Sequence, residues 1–275
     1  MPFINVRDFN LKHTLDSGQY FTYWKHDGWY YVLSTNLIFK VQQEKNKLYF
    51  HNISRKHILN FFKVEEDLGE IFKTIDKDKF IHQAISKYNG LRLIKQDPWQ
   101  CIISFICSSN SNIPRIKKNI NSICQKFGRK IELDRKIFHT FPSFDELNDR
   151  KKLLKCGLGY RTEYIFKSSR IVNKTFLEKL ERSNYEEAKT MLLSLYGVGD
   201  KVSECILLFS LNHNQAFPVD TWIEKGILEL YGSKIKSLYK TKNKSPQQIR
   251  EFSQNYFGKN AGYAQQYLFH WRRHK

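Results

Sequence analysis

The sequence predicts an α+β protein: an N-terminal antiparallel β-sheet with helices, followed by a mostly α-helical body that contains a helix, a glycine hairpin and a second helix. Three observations carry this reading. From residue 20 to 51, aromatic and β-branched runs alternate with turn residues. Beyond Ile53 the apolar spacing takes the helical period. Between Leu192 and Cys205, two glycines flank one apolar residue and separate two helical stretches.

The strands are expected at Tyr20 to Trp24, Trp29 to Leu33, Leu37 to Val41 and Leu48 to His51, with Asp27-Gly28 the clearest hairpin signal. Ile71, Ile75, Phe80, Ile81 and Ile85 then recur at helical spacing, up to a stop at Asn89-Gly90. Asp97-Pro98 supplies a cap and an N1 proline for a helix through Ile106, Ser108 to Asn112 interrupt it, and Pro114 opens the next. Ser143 with Glu146, Ser183 with Glu186, and Ser245 with Gln248 have the spacing of capping boxes. Gly157, Gly197 and Gly258 are expected to end helices, and a lysine-rich surface loop is expected near 233–244. The division is an N-terminal α+β domain over 1–95 and an all-α body over 96–275, with the helical hairpin at about 185–211.

Composition narrows the function. The 275 residues carry 46 Lys and Arg against 27 Asp and Glu, a net charge of +19, with a pI near 9.6. A polyanionic partner is expected, with nucleic acid the leading class. At 41% hydrophobic and 15% aromatic the chain is not disordered. No apolar run reaches the ~18 to 20 residues of a membrane span, and the N-terminus lacks a signal pattern. The expectation is therefore a soluble intracellular protein. The five cysteines are odd in number and show no C-x-x-C spacing, so reduced, mostly buried thiols are expected, with no metal site and no cofactor.

The most informative stretch runs from Leu192 through Gly197-Val198-Gly199-Asp200-Lys201 to Cys205, followed by Phe217-Pro218-Val219-Asp220. Gly197 and Gly199 allow a tight turn that leaves the first amides of the second helix facing outward, where a phosphate can bind. An ordinary helical corner has the same pattern. Lys201 falls in the first turn of that second helix, against the positive end of the dipole, a position that disfavours the ammonium and suits a nucleophile. Asp220 can cap the next helix and place a carboxylate beside it. The plainer alternatives are a surface cation for Lys201 and a cap alone for Asp220.

The pattern L-x-G-V-G-x-K-V-x-x-C with a later P-V-D resembles the helix-hairpin-helix DNA glycosylases, and within them the lysine-bearing 8-oxoguanine DNA glycosylases. Asp97-Pro98, Phe105 to Asn110, Gly157 to Arg161, Tyr185 to Ala188, Ala261 to Gln265, and Ser17-Gly18-Gln19 with Phe21 extend the resemblance over nearly the whole chain. It implies a bifunctional glycosylase and abasic-site lyase acting on duplex DNA that contains 8-oxoguanine opposite cytosine. Lys201 would attack the anomeric carbon and form a Schiff base, and Asp220 would stabilise charge on the sugar. The Gly18 carbonyl would accept the N7-H that guanine lacks, Gln265 would read the Watson-Crick edge, and Phe269 and Cys205 would sandwich the base. Asn110, Arg115, Tyr160 and Arg161 would fill the gap and hold the opposite cytosine. Ser111 and Trp222 depart from the asparagine and histidine of eukaryotic members. The resemblance further suggests a monomer, located in the bacterial or archaeal nucleoid or the eukaryotic nucleus. The alternatives are a glycosylase for another oxidised purine and a non-catalytic helix-hairpin-helix DNA-binding module.

Overall fold

The computed structural model describes residues 1–239 and 245–274. The first half holds strand β1 (Phe3–Asn5), helix α1 (Leu11–Asp16), strands β2 (Tyr23–His26), β3 (Trp29–Ser34), β4 (Leu37–Glu44) and β5 (Lys47–His51), and helices α2 (Arg55–Phe61), α3 (Leu68–Ile75) and α4 (Lys79–Lys87). The five strands form one antiparallel sheet in the order β1-β5-β4-β3-β2. Asp27 and Gly28 both take positive φ, 50° and 79°, the turn that matches the twist of a two-residue hairpin and pairs His26 with Trp29.

Two strand expectations change. Strand β1 was not anticipated, because three residues are too few to show alternation; it pairs with β5 through Phe3 and Tyr49. β2 begins at Tyr23 rather than Tyr20. The Tyr20 hydroxyl donates to the Leu33 carbonyl (2.5 Å), and the buried Gln19 amide donates to Arg92 O (2.8 Å) and accepts from Ile94 N (2.7 Å). The stretch from Gly18 to Thr22 thus bridges the 92–94 segment and the sheet, with the Thr22 carbonyl accepting the Leu33 amide (2.9 Å) just ahead of the regular β2 pairing.

The body continues with α5 (Pro98–Ser108), α6 (Ile113–Phe127), strands β6 (Lys130–Leu133) and β7 (Lys136–His139), then α7 (Arg150–Leu154), α8 (Arg161–Ser169), α9 (Lys174–Arg182), α10 (Tyr185–Leu193), α11 (Asp200–Ser210), α12 (Thr221–Tyr239), α13 (Pro246–Phe257) and α14 (Ala261–Arg273). Asp97 caps α5 through the Gln100 amide (2.8 Å), and Asn112 caps α6 through that of Arg115 (3.0 Å). The Ser245 and Gln248 capping box forms. The middle box sits one residue later than expected, at Asn184 and Glu187. Ser143 makes only half a box: its amide donates to Glu146 Oε2 ahead of a single 3-10 turn, Asp145–Leu147. The β6–β7 hairpin lies within the body expected to be all-α; Asp134 and Arg135 turn it without glycine, at φ 52° and 58°. Asp134 Oδ2 then accepts from Tyr31 (2.7 Å) and Lys40 (2.6 Å), pinning the hairpin to the sheet. The lysine-rich loop expected at 233–244 is helix as far as Tyr239, and 240–244 lie outside the described residues.

The apolar interior forms two clusters, the larger of which takes residues from both sides of residue 95. Ile4, Val32, Phe39, Leu48, Ile58 and Phe62 form a core under the sheet with Ile94. Ile71, Ile75, Ile81 and Ile85 of α3 and α4 instead join the apolar interior of the helical body. Arg92, almost fully buried, crosses between the layers and donates to the main-chain carbonyls of Asp8, Lys63 and Glu66. The Gln266 side chain donates to Ser17 O (3.0 Å), which brings Gly18 against α14.

Candidate active site

A cleft of about 890 Å³ lies where the turn after α1, the end of α5, the hairpin before α11, the start of α12 and helix α14 meet. Gly18, Lys201, Cys205, Asp220, Gln265 and Phe269 all line it, as do Asn110, Gly197 and Gly199. Gly18 near the N-terminus and Phe269 near the C-terminal end of α14 thus line the same cleft.

The hairpin geometry follows from its glycines. Gly197 has φ 79°, and a Cβ there would sit 2.6 Å from the Tyr164 ring, so both the conformation and the close approach require glycine. Gly199 is the N-cap of α11 and a Cβ would meet nothing within 4 Å; its bareness leaves the first amides of the helix open to a ligand. Val198 is buried and fixes the turn to the body.

Lys201 is the second residue of α11. Its Nζ donates to Ser108 Oγ (3.0 Å) and lies 5.3 Å from the Phe105 ring centroid. One turn on, Cys205 is almost fully buried. Burial pushes its thiol up to about 11, Lys201 opposes that shift and Asp220 adds to it. Lys201 and Asp220 therefore both act on one sulfur, which stays a neutral thiol. Asp220 Oδ1 accepts the Ile223 amide (2.8 Å), so this carboxylate does cap α12 while facing the cleft.

The segment carrying Asp220 is held by a residue the sequence reading passed over. Glu204 is fully buried; Oε1 accepts from the Tyr185 hydroxyl (2.5 Å) and Lys189 Nζ (2.9 Å), and Oε2 accepts the Phe217 amide (2.8 Å). Arg250 approaches within 3.8 Å. A carboxylate on the lysine's own helix thus fixes the strand-like approach to Asp220. Its signal in the sequence was a glutamate on the apolar face of α11, which demands paired cations.

At the other end of the cleft, Gly18 has φ 85°, and a Cβ there would meet Arg273 Nη1 at 2.6 Å and the Phe269 ring at 3.2 Å. Gln265 is buried; its Nε2 donates to Pro218 O (3.2 Å), and its Oε1 has no partner.

The remaining four residues separate. Asn110 lines the cleft with φ 47°, in the turn that ends α5. Arg115 is exposed on α6 and Tyr160 half-exposed before α8, neither of them in the cleft wall. Arg161 is almost fully buried, and its guanidinium donates to the carbonyls of Ser109 (Nε, 2.9 Å), Asn110 (Nη2, 2.9 Å) and Leu158 (Nη1, 3.3 Å). It is a strut beneath the Ser109-Asn110 turn, where the sequence suggested an outward-facing donor. The Tyr160 hydroxyl donates to the same Ser109 carbonyl (3.1 Å), and its ring lies 4.5 Å from the guanidinium.

A basic chain with an open-ended helical hairpin, and a lysine and an aspartate facing a cleft large enough for a nucleobase, defines a helix-hairpin-helix protein of DNA repair. Residues 3–102 match the family model described as 8-oxoguanine DNA glycosylase, N-terminal domain, and residues 103–255 match that of the HhH-GPD superfamily base excision DNA repair protein. The chain is 32% identical over 238 residues to a protein of Methanothermobacter thermautotrophicus named "Probable N-glycosylase/DNA lyase", covering 78% of this chain and 73% of that one. It is 35% identical over 191 residues to the N-glycosylase/DNA lyase of Saccharomyces cerevisiae, covering 62% of this chain and half of the yeast protein's length. The 8-oxoguanine glycosylase/lyase of Clostridium acetobutylicum, solved with double-stranded DNA containing cytosine opposite 8-oxoG, superposes with a TM-score of 0.88 at 32% identity over 100% of this chain and 98% of that one. The 3-methyladenine DNA glycosylase of Archaeoglobus fulgidus shares the fold at a TM-score of 0.81 and 19% identity. The chain belongs to the 8-oxoguanine DNA glycosylase family of N-glycosylase/DNA lyases, within the helix-hairpin-helix base excision repair superfamily.

Proposed function

We propose that this protein flips 8-oxoguanine out of duplex DNA into the cleft, excises it through a Schiff base on Lys201, and cleaves the strand by β-elimination. The carrying observation is the convergence of Lys201, Asp220, Gln265 and Gly18 on one cleft beside an open hairpin. Lys201 Nζ attacks the anomeric carbon as the glycosidic bond breaks. The electron pair leaves with the base, and the amine loses a proton as the ring opens to the iminium. Asp220, which lines the same cleft, offsets the positive charge of the oxocarbenium-like sugar. The iminium then acidifies the neighbouring carbon, and loss of that proton expels the 3′ phosphate.

Selectivity rests on Gly18 and Gln265. The Gly18 carbonyl accepts N7-H from 8-oxoguanine, whereas guanine would present a lone pair there, a difference of about 1 to 3 kcal/mol or more in a dry site. Gln265 Oε1, an acceptor without a partner, suits the donors of the Watson-Crick edge. We assign contact with the opposite strand to Asn110, Arg115 and Tyr160, with Arg161 holding the Ser109-Asn110 turn from beneath.

Single-turnover excision of 8-oxoguanine, its 7-deaza analogue and guanine, each opposite cytosine, tests the reading. Excision of 8-oxoguanine far above both others is expected. Comparable rates on guanine would overturn the pocket assignment, and retained DNA binding with neither excision nor strand cleavage would favour a binding module.

A further inference from the structure

Buried polar atoms without partners are rare in folded proteins, and each calls for an explanation. Among the described residues six side-chain atoms stand in this position, and three of them, Ser111 Oγ, Gln265 Oε1 and Arg273 Nη1, belong to residues lining the cleft. The arginine is the most demanding case, because a guanidinium N-H group out of reach of water carries charge as well as a donor. Arg273 stands at the C-terminal end of α14. Its Nη2 donates to Asp16 O (2.6 Å) and its guanidinium lies 5.5 Å from the Phe269 ring centroid, so the head group is fixed from two sides. Nη1 packs against Gly18, where a Cβ would come within 2.6 Å of it.

A charged donor therefore lies beside Gly18, the residue whose carbonyl is read above as the N7-H acceptor, and a guanine-derived base has the complement: N7-H lies between two exocyclic oxygens, O6 and O8. We infer that Arg273 donates through Nη1 to an oxygen flanking N7 of the flipped base, making it a specificity-determining residue of the pocket. This inference rests on the proposed reading of the cleft as the 8-oxoguanine pocket. The wall then offers an acceptor and a donor in adjacent positions to a donor and an acceptor in adjacent positions. Gln265 Oε1 takes the donors of the opposite edge of the base. Negative charge left on the departing purine spreads to its oxygens, so the same contact strengthens as the glycosidic bond breaks.

The test compares the wild type with Arg273→Met and Arg273→Lys in single-turnover excision of 8-oxoguanine and 8-oxoadenine, and in cleavage of DNA with a preformed abasic site. Arg273→Met is expected to slow 8-oxoguanine excision by about 10- to 100-fold, the range for a lost hydrogen bond to a charged group. Arg273→Lys, which keeps a charged donor, is expected to recover part of the loss. Abasic cleavage, which involves no base, is expected to stay within about twofold of wild type in both variants. A matching loss on 8-oxoadenine identifies O8 as the acceptor; loss confined to 8-oxoguanine identifies O6, which 8-oxoadenine replaces with an amino group. Wild-type excision rates in Arg273→Met, or abasic cleavage falling in parallel with excision, overturn the inference. Failure of the wild type itself to excise 8-oxoguanine while cleaving abasic DNA overturns the pocket reading and this inference together, and is seen before any variant is compared.

Discussion

Lys201 Nζ donates to Ser108 Oγ across 3.0 Å, so the amine that opens α11 is held over the last residue of α5. This contact crosses 93 residues of sequence and joins the two elements that form the floor of the cleft. It also aims the lysine inward, although a second-position side chain on a helix otherwise has ready access to solvent.

Asp220 caps α12 and is proposed to stabilise charge on the sugar, and one substitution separates the two roles. Asparagine is as good an N-cap as aspartate, so Asp220→Asn is expected to leave the melting temperature nearly unchanged. Loss of the charge is expected to slow 8-oxoguanine excision by about 100- to 1000-fold. Calorimetry and single-turnover kinetics on the same preparation check both, and an unchanged rate would reduce Asp220 to a cap.

Glu204 bears on stability and alignment together. Glu204→Ala leaves Lys189, Arg250 and the Phe217 amide without their buried partner, and is expected to cost about 3 to 5 kcal/mol in denaturant unfolding. Glu204→Gln keeps an acceptor for Phe217 and is expected to be milder. A neutral result for the alanine variant would show that the buried network holds nothing in place.

For Arg161 the structure and the sequence point to different tasks. As a strut under Ser109 and Asn110, it is expected on replacement by alanine to loosen that turn and weaken binding to lesion DNA. Excision rates opposite each of the four bases separate the tasks. A preferential loss opposite cytosine means that the guanidinium reaches the opposite base during binding, and equal losses mean that it only supports the turn.

His270 supplies a pH dependence. It is buried against Tyr88 and His274, at ring distances of 4.3 and 4.6 Å, and burial, reinforced by His274, Arg273 and His13, lowers its pKa from 6.5 to about 3. The fold therefore favours the neutral ring. That contribution is fully present above the unfolded value and is lost as pH falls from about 6.5 through about 3. Thermal unfolding across this window is expected to show a shallower pH slope for His270→Phe than for wild type; identical slopes would contradict the assignment.

Much of the site was legible from the sequence because its chemistry is local in part: Gly197, Gly199, Lys201 and Cys205 lie within one turn-helix unit whose spacing states its geometry. Asp97, Pro114 and Ser245 announced their helices for the same reason. Long-range polar contacts were not legible. Nothing near Glu204 in sequence names Phe217 as its partner, and nothing near Arg161 says that its nitrogens are taken by carbonyls 51 and 52 residues away. The β6–β7 hairpin was hidden because Asp134-Arg135 turns without glycine and each strand has only 4 residues. The packing of α3 and α4 against the helical body was not legible, because periodicity shows which face of a helix is apolar but not which core receives it.

The most direct test of the central claim is borohydride trapping of Lys201→Gln on DNA containing 8-oxoguanine. The variant loses one hydrogen bond, to Ser108, and keeps the hairpin and pocket, so it is expected to bind the lesion nearly as wild type does. Under reduction the wild type is expected to become covalently attached to DNA and the variant to give no attached species, with excision lost as well. A trapped complex formed by the variant at a rate comparable to wild type would contradict the assignment of Lys201 as the nucleophile.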